Sequence, residues 1–246
     1  MLDLIATTRS PGEIFAKRTC VINRLTATSP NISSARLTRI SAADLQLLFD
    51  LYNEIFFDHR INEVYQGQLK FSLSRRMTKS AGKTIFPRRP DKIGPGDMTI
   101  EIRMGTDFFF KYDEIESNKT VCGITTTSAL EAFLLVFEHE LCHLIEFIHF
   151  KNSSCRGKRF KAIANHIFGH TTSYHELPTQ RQIARVKYGL KIGDPVTFTY
   201  EGKSIKGILF NINKRATVMV RDKNGTFTDN RGNRYMKYYV PLESFE

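Results

Sequence analysis

No run of 18 apolar residues occurs in the 246-residue chain, so the sequence offers no candidate membrane-spanning helix. Cysteine is scarce. Four stand at positions 20, 122, 142 and 155, with no CxxC pair among them, which excludes a zinc ribbon and a disulfide scaffold. A reducing, cytoplasmic compartment is the matching expectation. Acidic residues are also short: 25 Asp and Glu face 36 Lys and Arg, a net charge of +11 with a pI near 9.6. That balance favours an anionic partner, with nucleic acid the default. Residues 1–35 hold few acids and no continuous apolar stretch, so a secretory signal is not expected in them and they are expected to be a flexible N-terminal segment.

What is present is concentrated in one short stretch. Glu138-His-Glu-Leu-Cys-His143 contains an HExxH motif formed by His139, Glu140 and His143. Two histidines four apart share one face of a helix, about one turn from each other. Both imidazoles can then hold one Zn²⁺, and the intervening glutamate can take a proton from water at the metal. Ser128 with Glu131 forms a capping box that opens this helix. Ala132–Phe137 and Leu144–Ile148 make it apolar on nearly every side, which predicts burial. Buried His and Glu without partners cost several kcal/mol, and metal ligation offsets that cost.

Ser41–Asp44 opens an earlier amphipathic helix carrying Leu45, Leu48, Tyr52 and Phe56. Gln68–Ser74, Gly82–Phe86 and Asp97–Arg103 read as strands. A helix from about Gly157 to Phe168 ends at Gly169. Beyond residue 185, short alternating segments joined by glycine turns predict a small basic β-barrel, SH3-like or KOW-like. The expected organisation is 1–35 flexible, 36–184 the metal-motif domain, and 185–246 the barrel.

A catalytic zinc needs a third protein ligand. His149 has the spacing, but an unbroken helix carries it about 15 Å from His139. His166 falls opposite the apolar face of its helix. If the two helices form an antiparallel hairpin, about 16 Å of rise out and back brings His170 level with His139. His170 is therefore the favoured third ligand, and His175 is a ligand or a supporting group. Glu146 shares the motif's face and either orients a ligand or solvates the helix end.

In order, these segments resemble the SprT-like zinc metalloproteases, the family of bacterial SprT and the DNA–protein crosslink protease Spartan. The resemblance covers roughly residues 41–170. It rests on Leu51-Tyr-Asn-Glu-Ile-Phe-Phe57, Ser74-Arg-Arg-Met77 with Ala81-Gly82, Glu138–His143, and Gly157-Lys-Arg-Phe160. It implies an α+β, minimal zincin-like fold, Zn²⁺ at His139 and His143, and Glu140 as general base. It also implies a protein substrate, bound or crosslinked to DNA. The family places its third ligand in His-Gly-x-x-Phe, but here Arg156 fills the histidine's slot, and arginine cannot ligate a metal. Either another histidine substitutes, or the chain is a non-catalytic nucleic-acid-binding or regulatory protein with a structural or lost metal site.

Between Lys70 and Lys92 stand eight Lys/Arg against Asp91 alone, and residues 187–246 hold eleven Lys/Arg against six Asp/Glu with Tyr and Phe interleaved. Both stretches fit a nucleic-acid partner, single-stranded DNA included.

Overall fold

The computed structural model describes Ile5 and residues 7–245. The chain divides into two units between Leu177 and Pro178. In the first, helices α1 (Pro11–Thr28), α2 (Ala42–Phe57) and α3 (Arg60–Val64) precede strands β1 (Gln68–Ser74), β2 (Gly82–Ile85) and β3 (Thr99–Gly105). Then follow α4 (Thr106–Phe110), a hairpin of β4 (Lys119–Val121) and β5 (Ile124–Thr126), α5 (Ala129–Phe150) and α6 (Lys158–Phe168).

The sheet runs β1-β3-β2, with β3 parallel to β1 and antiparallel to β2. Central β3 buries Ile100, Ile102 and Met104 on alternate positions, as a half-covered strand should. That leaves β2 at an edge. Ser128 caps α5 by accepting the Glu131 N–H, and sixteen of the helix's residues, Glu138 and Glu140 among them, are buried. The β4–β5 turn places Cys122 and Gly123 at φ 53° and 80°. Two-residue hairpins favour such left-handed pairs.

The expectation of a flexible segment over 1–35 is corrected for its described part; residues 1–4 and 6 lie outside the described residues. Ser10 caps α1 with Pro11 at its first position, and Ile14, Val21 and Leu25 are buried. These three form a helical stripe, i, i+7 and i+11, beneath a face of charged and hydroxyl residues that dominates the composition. The Arg9 guanidinium donates to the Phe56 carbonyl, and Lys17 donates to that of Ile55.

The second unit holds α7 (Gln180–Tyr188) and strands β6 (Pro195–Tyr200), β7 (Lys203–Ile212), β8 (Ala216–Arg221), β9 (Phe227–Thr228) and β10 (Arg234–Val240). They form one antiparallel sheet in the order β6-β7-β8-β10-β9 over a core of Phe198, Leu209, Val218 and Val240. The unit begins earlier than residue 185 because α7 buries Ala184 in this core. No helix among the described residues is long and apolar enough to cross a membrane.

Candidate metal centre and catalytic pocket

A cavity of about 520 Å³ opens over α5 and contains His139, Glu140 and His143. Lys79, Lys83 and Thr84 from the β2 side and Tyr174 and His175 from the segment after α6 also line it. The ring of Phe160 lies 4.9 Å from that of His139 and 4.4 Å from that of His143, so the first turn of α6 packs on both imidazoles.

The hydrogen bonds determine which ring nitrogens are bare. Ser153 Oγ donates to Glu146 Oε2 at 2.7 Å and lies 2.7 Å from His143 Nδ1. A hydroxyl whose proton points at a carboxylate accepts from the imidazole, so His143 carries its proton on Nδ1 and its lone pair on Nε2. Arg159 Nε, 3.1 Å from Glu146 Oε1, and the Ser154 N–H, 3.0 Å from Oε2, hold that carboxylate in turn. Of the two roles expected for Glu146, its hydrogen bonds match orientation: through Ser153 it holds the His143 ring. At His139 the neighbour of Nδ1 is Cys122 Sγ, 3.9 Å away, while the Cys122 thiol donates to the Leu135 carbonyl at 3.9 Å. Burial, then the charges of Glu138 and Glu140, push the Cys122 thiol up, so it stays protonated. His139 Nε2 is thereby left for a metal, the arrangement in which the second nitrogen of a ligating histidine is held by an outer partner.

Burial, and then neighbouring His143, lower the His139 pKa to about 3, and burial brings His143 to about 4. Both are neutral at pH 7, the form that ligates. Glu140 is 3% exposed, and burial raises its carboxyl to about 7 against the opposing hydrogen bond from Thr84. Thr84 Oγ1 donates to Glu140 Oε2 at 2.7 Å. Gly82 is required beside it: a Cβ there would stand 2.5 Å from Glu140 Oε1 and 2.8 Å from its Cγ.

A third donor belongs to this cluster. One ligand atom each from His139, His143 and Cys155 lie within 4.8 Å of one another. Two neutral imidazoles and a thiol are a donor set that fits zinc. The expectation for His170 is corrected. It is 2% exposed and outside this cluster, and its Nε2 donates to Glu138 Oε2 at 2.9 Å. The returning chain does reach α5, but it meets Glu138. One residue along a helix turns a side chain about 100°, away from the face of His139. His175 does reach the pocket, where its Nε2 accepts the Ala81 N–H at 3.1 Å. His166 is exposed, and Nδ1 of His149 lies 3.0 Å from the Ile145 carbonyl.

Behind the motif, Glu138 is wholly buried and accepts from three elements. Arg18 of α1 grips it through Nε and Nη2 at 2.8 Å each, and Tyr52 of α2 donates at 2.7 Å. Arg18 also donates to the Phe168 carbonyl at 3.0 Å. Sequence reasoning missed Arg18, Thr84, Ser153 and Cys155. Only Cys155 left a local signal, standing one position before the arginine in the family's ligand slot.

A model of the SprT-like family matches residues 45–182, more than half of the chain, and the chain belongs to that family. The α5 helix on its three-stranded sheet is the zincin-like core, and the second unit is a small sheet. No curated protein and no solved structure matches the chain.

Proposed function

We propose that this protein is a zinc-dependent endopeptidase in which His139 and His143 hold the metal and Glu140 is the general base. The observation that carries this reading is geometric: buried Glu140, held by Thr84, shares one pocket with two imidazoles whose Nε2 atoms are bare. Bound there, zinc supplies Lewis acidity, polarising a peptide carbonyl and bringing the pKa of water towards neutrality. Glu140 takes the proton of the attacking water and delivers it to the leaving amine. Burial, which raises this carboxyl in the metal-free chain, favours its carrying the proton between the two. Thr84 fixes one carboxylate oxygen, and the absent side chain of Gly82 makes room for the other. Edge strand β2, which lines the pocket, offers an extended substrate a backbone partner.

The test compares cleavage of casein by wild type, chelator-treated protein and Glu140→Gln. The variant is expected to keep its zinc and lose cleavage. Wild-type rates in Glu140→Gln would sink the mechanism, and wild type that contains no zinc would favour the non-catalytic alternative.

The substrates we propose are proteins bound or crosslinked to nucleic acid. Lys79 and Lys83, exposed at the pocket, belong to the basic run 70–92. The strands of the second unit carry Lys203, Lys206, Arg221, Arg234 and Lys237 and no acid. Phe210 and Tyr239 among them are 60% and 63% exposed, and Lys237 Nζ lies 3.6 Å from the Phe227 ring centroid. Cations beside exposed aromatic rings suit single strands, whose bases stack while their phosphates pair. Affinity for single-stranded DNA is expected to fall with added salt. A salt-independent constant would argue against phosphate recognition.

A further inference from the structure

We infer that the third metal ligand is the thiolate of Cys155, so that the centre is His₂Cys rather than a three-histidine site. The inference rests on the zinc reading above and adds the ligand that the sequence pattern withholds. Arg156, in the position where a third histidine is expected, is exposed. Its neighbour Cys155 is half-buried in the pocket wall, with Sγ in the cluster formed by His139 and His143.

The loop that carries Cys155 is pinned on both sides. Glu146 holds Ser153 through its hydroxyl and Ser154 through its N–H, at 2.7 and 3.0 Å. The Gly157 N–H closes a turn on the Ser154 carbonyl at 2.8 Å. Ser173 Oγ donates to the Cys155 carbonyl itself at 3.0 Å. The carboxylate that locks the Ser153 side chain against His143 therefore also fixes the backbone that delivers the sulfur. One acid sets two donors.

The other donors near the centre are engaged or misdirected. His170 Nε2 is bonded to Glu138, and His175 Nε2 accepts the Ala81 N–H. Cys122 Sγ sits at Nδ1 of His139, on the side of the ring away from Nε2. Cys142, though within the motif, is wholly buried and does not line the cavity.

Metal binding through Cys155 breaks its S–H bond. The proton leaves to solvent and a sulfur–metal bond forms, so uptake releases one proton from this residue. A thiolate with two imidazoles selects zinc or cobalt over magnesium, calcium and manganese, which prefer oxygen donors. The bound sulfur is also shielded from alkylation, as the free thiol is not.

Cobalt reports the sulfur directly. Full-length protein is stripped with a chelator and reloaded with Co²⁺. A near-ultraviolet sulfur-to-cobalt charge-transfer band is expected in wild type, Cys122→Ala and His175→Ala, and its absence is expected in Cys155→Ala. Zinc affinity in Cys155→Ala should fall by more than the roughly 10- to 100-fold that loss of an outer partner brings. Cys155→His should retain zinc without the band, which separates ligation from folding. A band that survives in Cys155→Ala, or vanishes in Cys122→Ala, overturns the assignment. Wild type that binds cobalt without a sulfur band overturns it while sparing the zinc reading. Wild type that binds neither metal ends the zinc reading itself.

Discussion

Replacing Arg18 by methionine asks whether the N-terminal helix is part of the foundation of the metal helix. The Arg18 side chain is 15% exposed and the Glu138 side chain 0%. Methionine preserves much of the aliphatic packing but leaves Glu138 with only Tyr52 and His170. Breaking a buried ion pair by removing one partner costs roughly 3–5 kcal/mol. Titration leads to a similar figure. Burial works to raise the Glu138 carboxyl, but the charge of Arg18 and hydrogen bonds from His170 and Arg18 hold it at about 2, below the ordinary 4.5. That difference corresponds to about 3 kcal/mol. The sign follows from the lowered pKa: the stabilisation is present above pH 4.5 and is lost as pH falls towards 2. In Arg18→Met burial is opposed far less and the pKa rises, so the variant regains stability on acidification while wild type does not. The gap between them should therefore be several kcal/mol at pH 7 and narrow towards pH 4. Urea unfolding at both pH values, followed by far-ultraviolet circular dichroism, measures it; the chain has no tryptophan to report by fluorescence. A gap below about 1 kcal/mol at pH 7, or one unchanged at pH 4, refutes the argument.

Glu140 should behave in the opposite sense when metal is absent. Its raised pKa means that stability is lost as pH climbs from 4.5 through about 7. Metal-free Glu140→Gln should therefore be more stable than metal-free wild type by about 3 kcal/mol at pH 8, with the two converging near pH 4.5, in thermal melts with chelator. Gly82→Ala forces a Cβ against Glu140 Oε1, so cleavage should fall roughly 10- to 100-fold while zinc content stays at wild-type level, checked by proteolysis and metal analysis side by side. Ser153→Ala severs the link between His143 and Glu146, and a competition titration should show zinc held about 10- to 100-fold more weakly.

The parts of this protein that were legible in its sequence are those decided by residues close along the chain. Ser128 and the spacing of His139 and His143 predicted a capped helix with both histidines on one side, and α5 is capped by Ser128 and turns both into one pocket. Alternation and glycine turns predicted a small β-barrel beyond residue 185; the described residues there hold five strands in one sheet, with an isolated bridge between Phe198 and Phe245. The α1 helix was concealed because composition is an average over faces. Ile14, Val21 and Leu25 carry the burial, while the surrounding Arg, Lys and Thr carry the statistics. The third donor was concealed for a different reason. Counting helical rise brings the chain back to the correct level, but a helix turns about 100° per residue, so an error of one position selects Glu138 instead of His139. The same sensitivity works at the loop before α6. Read at Arg156 the ligand slot is broken; read one residue earlier, at Cys155, it holds sulfur. What chooses between these registers is the grip of Glu146 on Ser153 and Ser154, from a helix turn that also faces His143. Such a choice is made by tertiary hydrogen bonds, and so a histidine-to-arginine change in the expected slot is no evidence by itself that the centre has been lost.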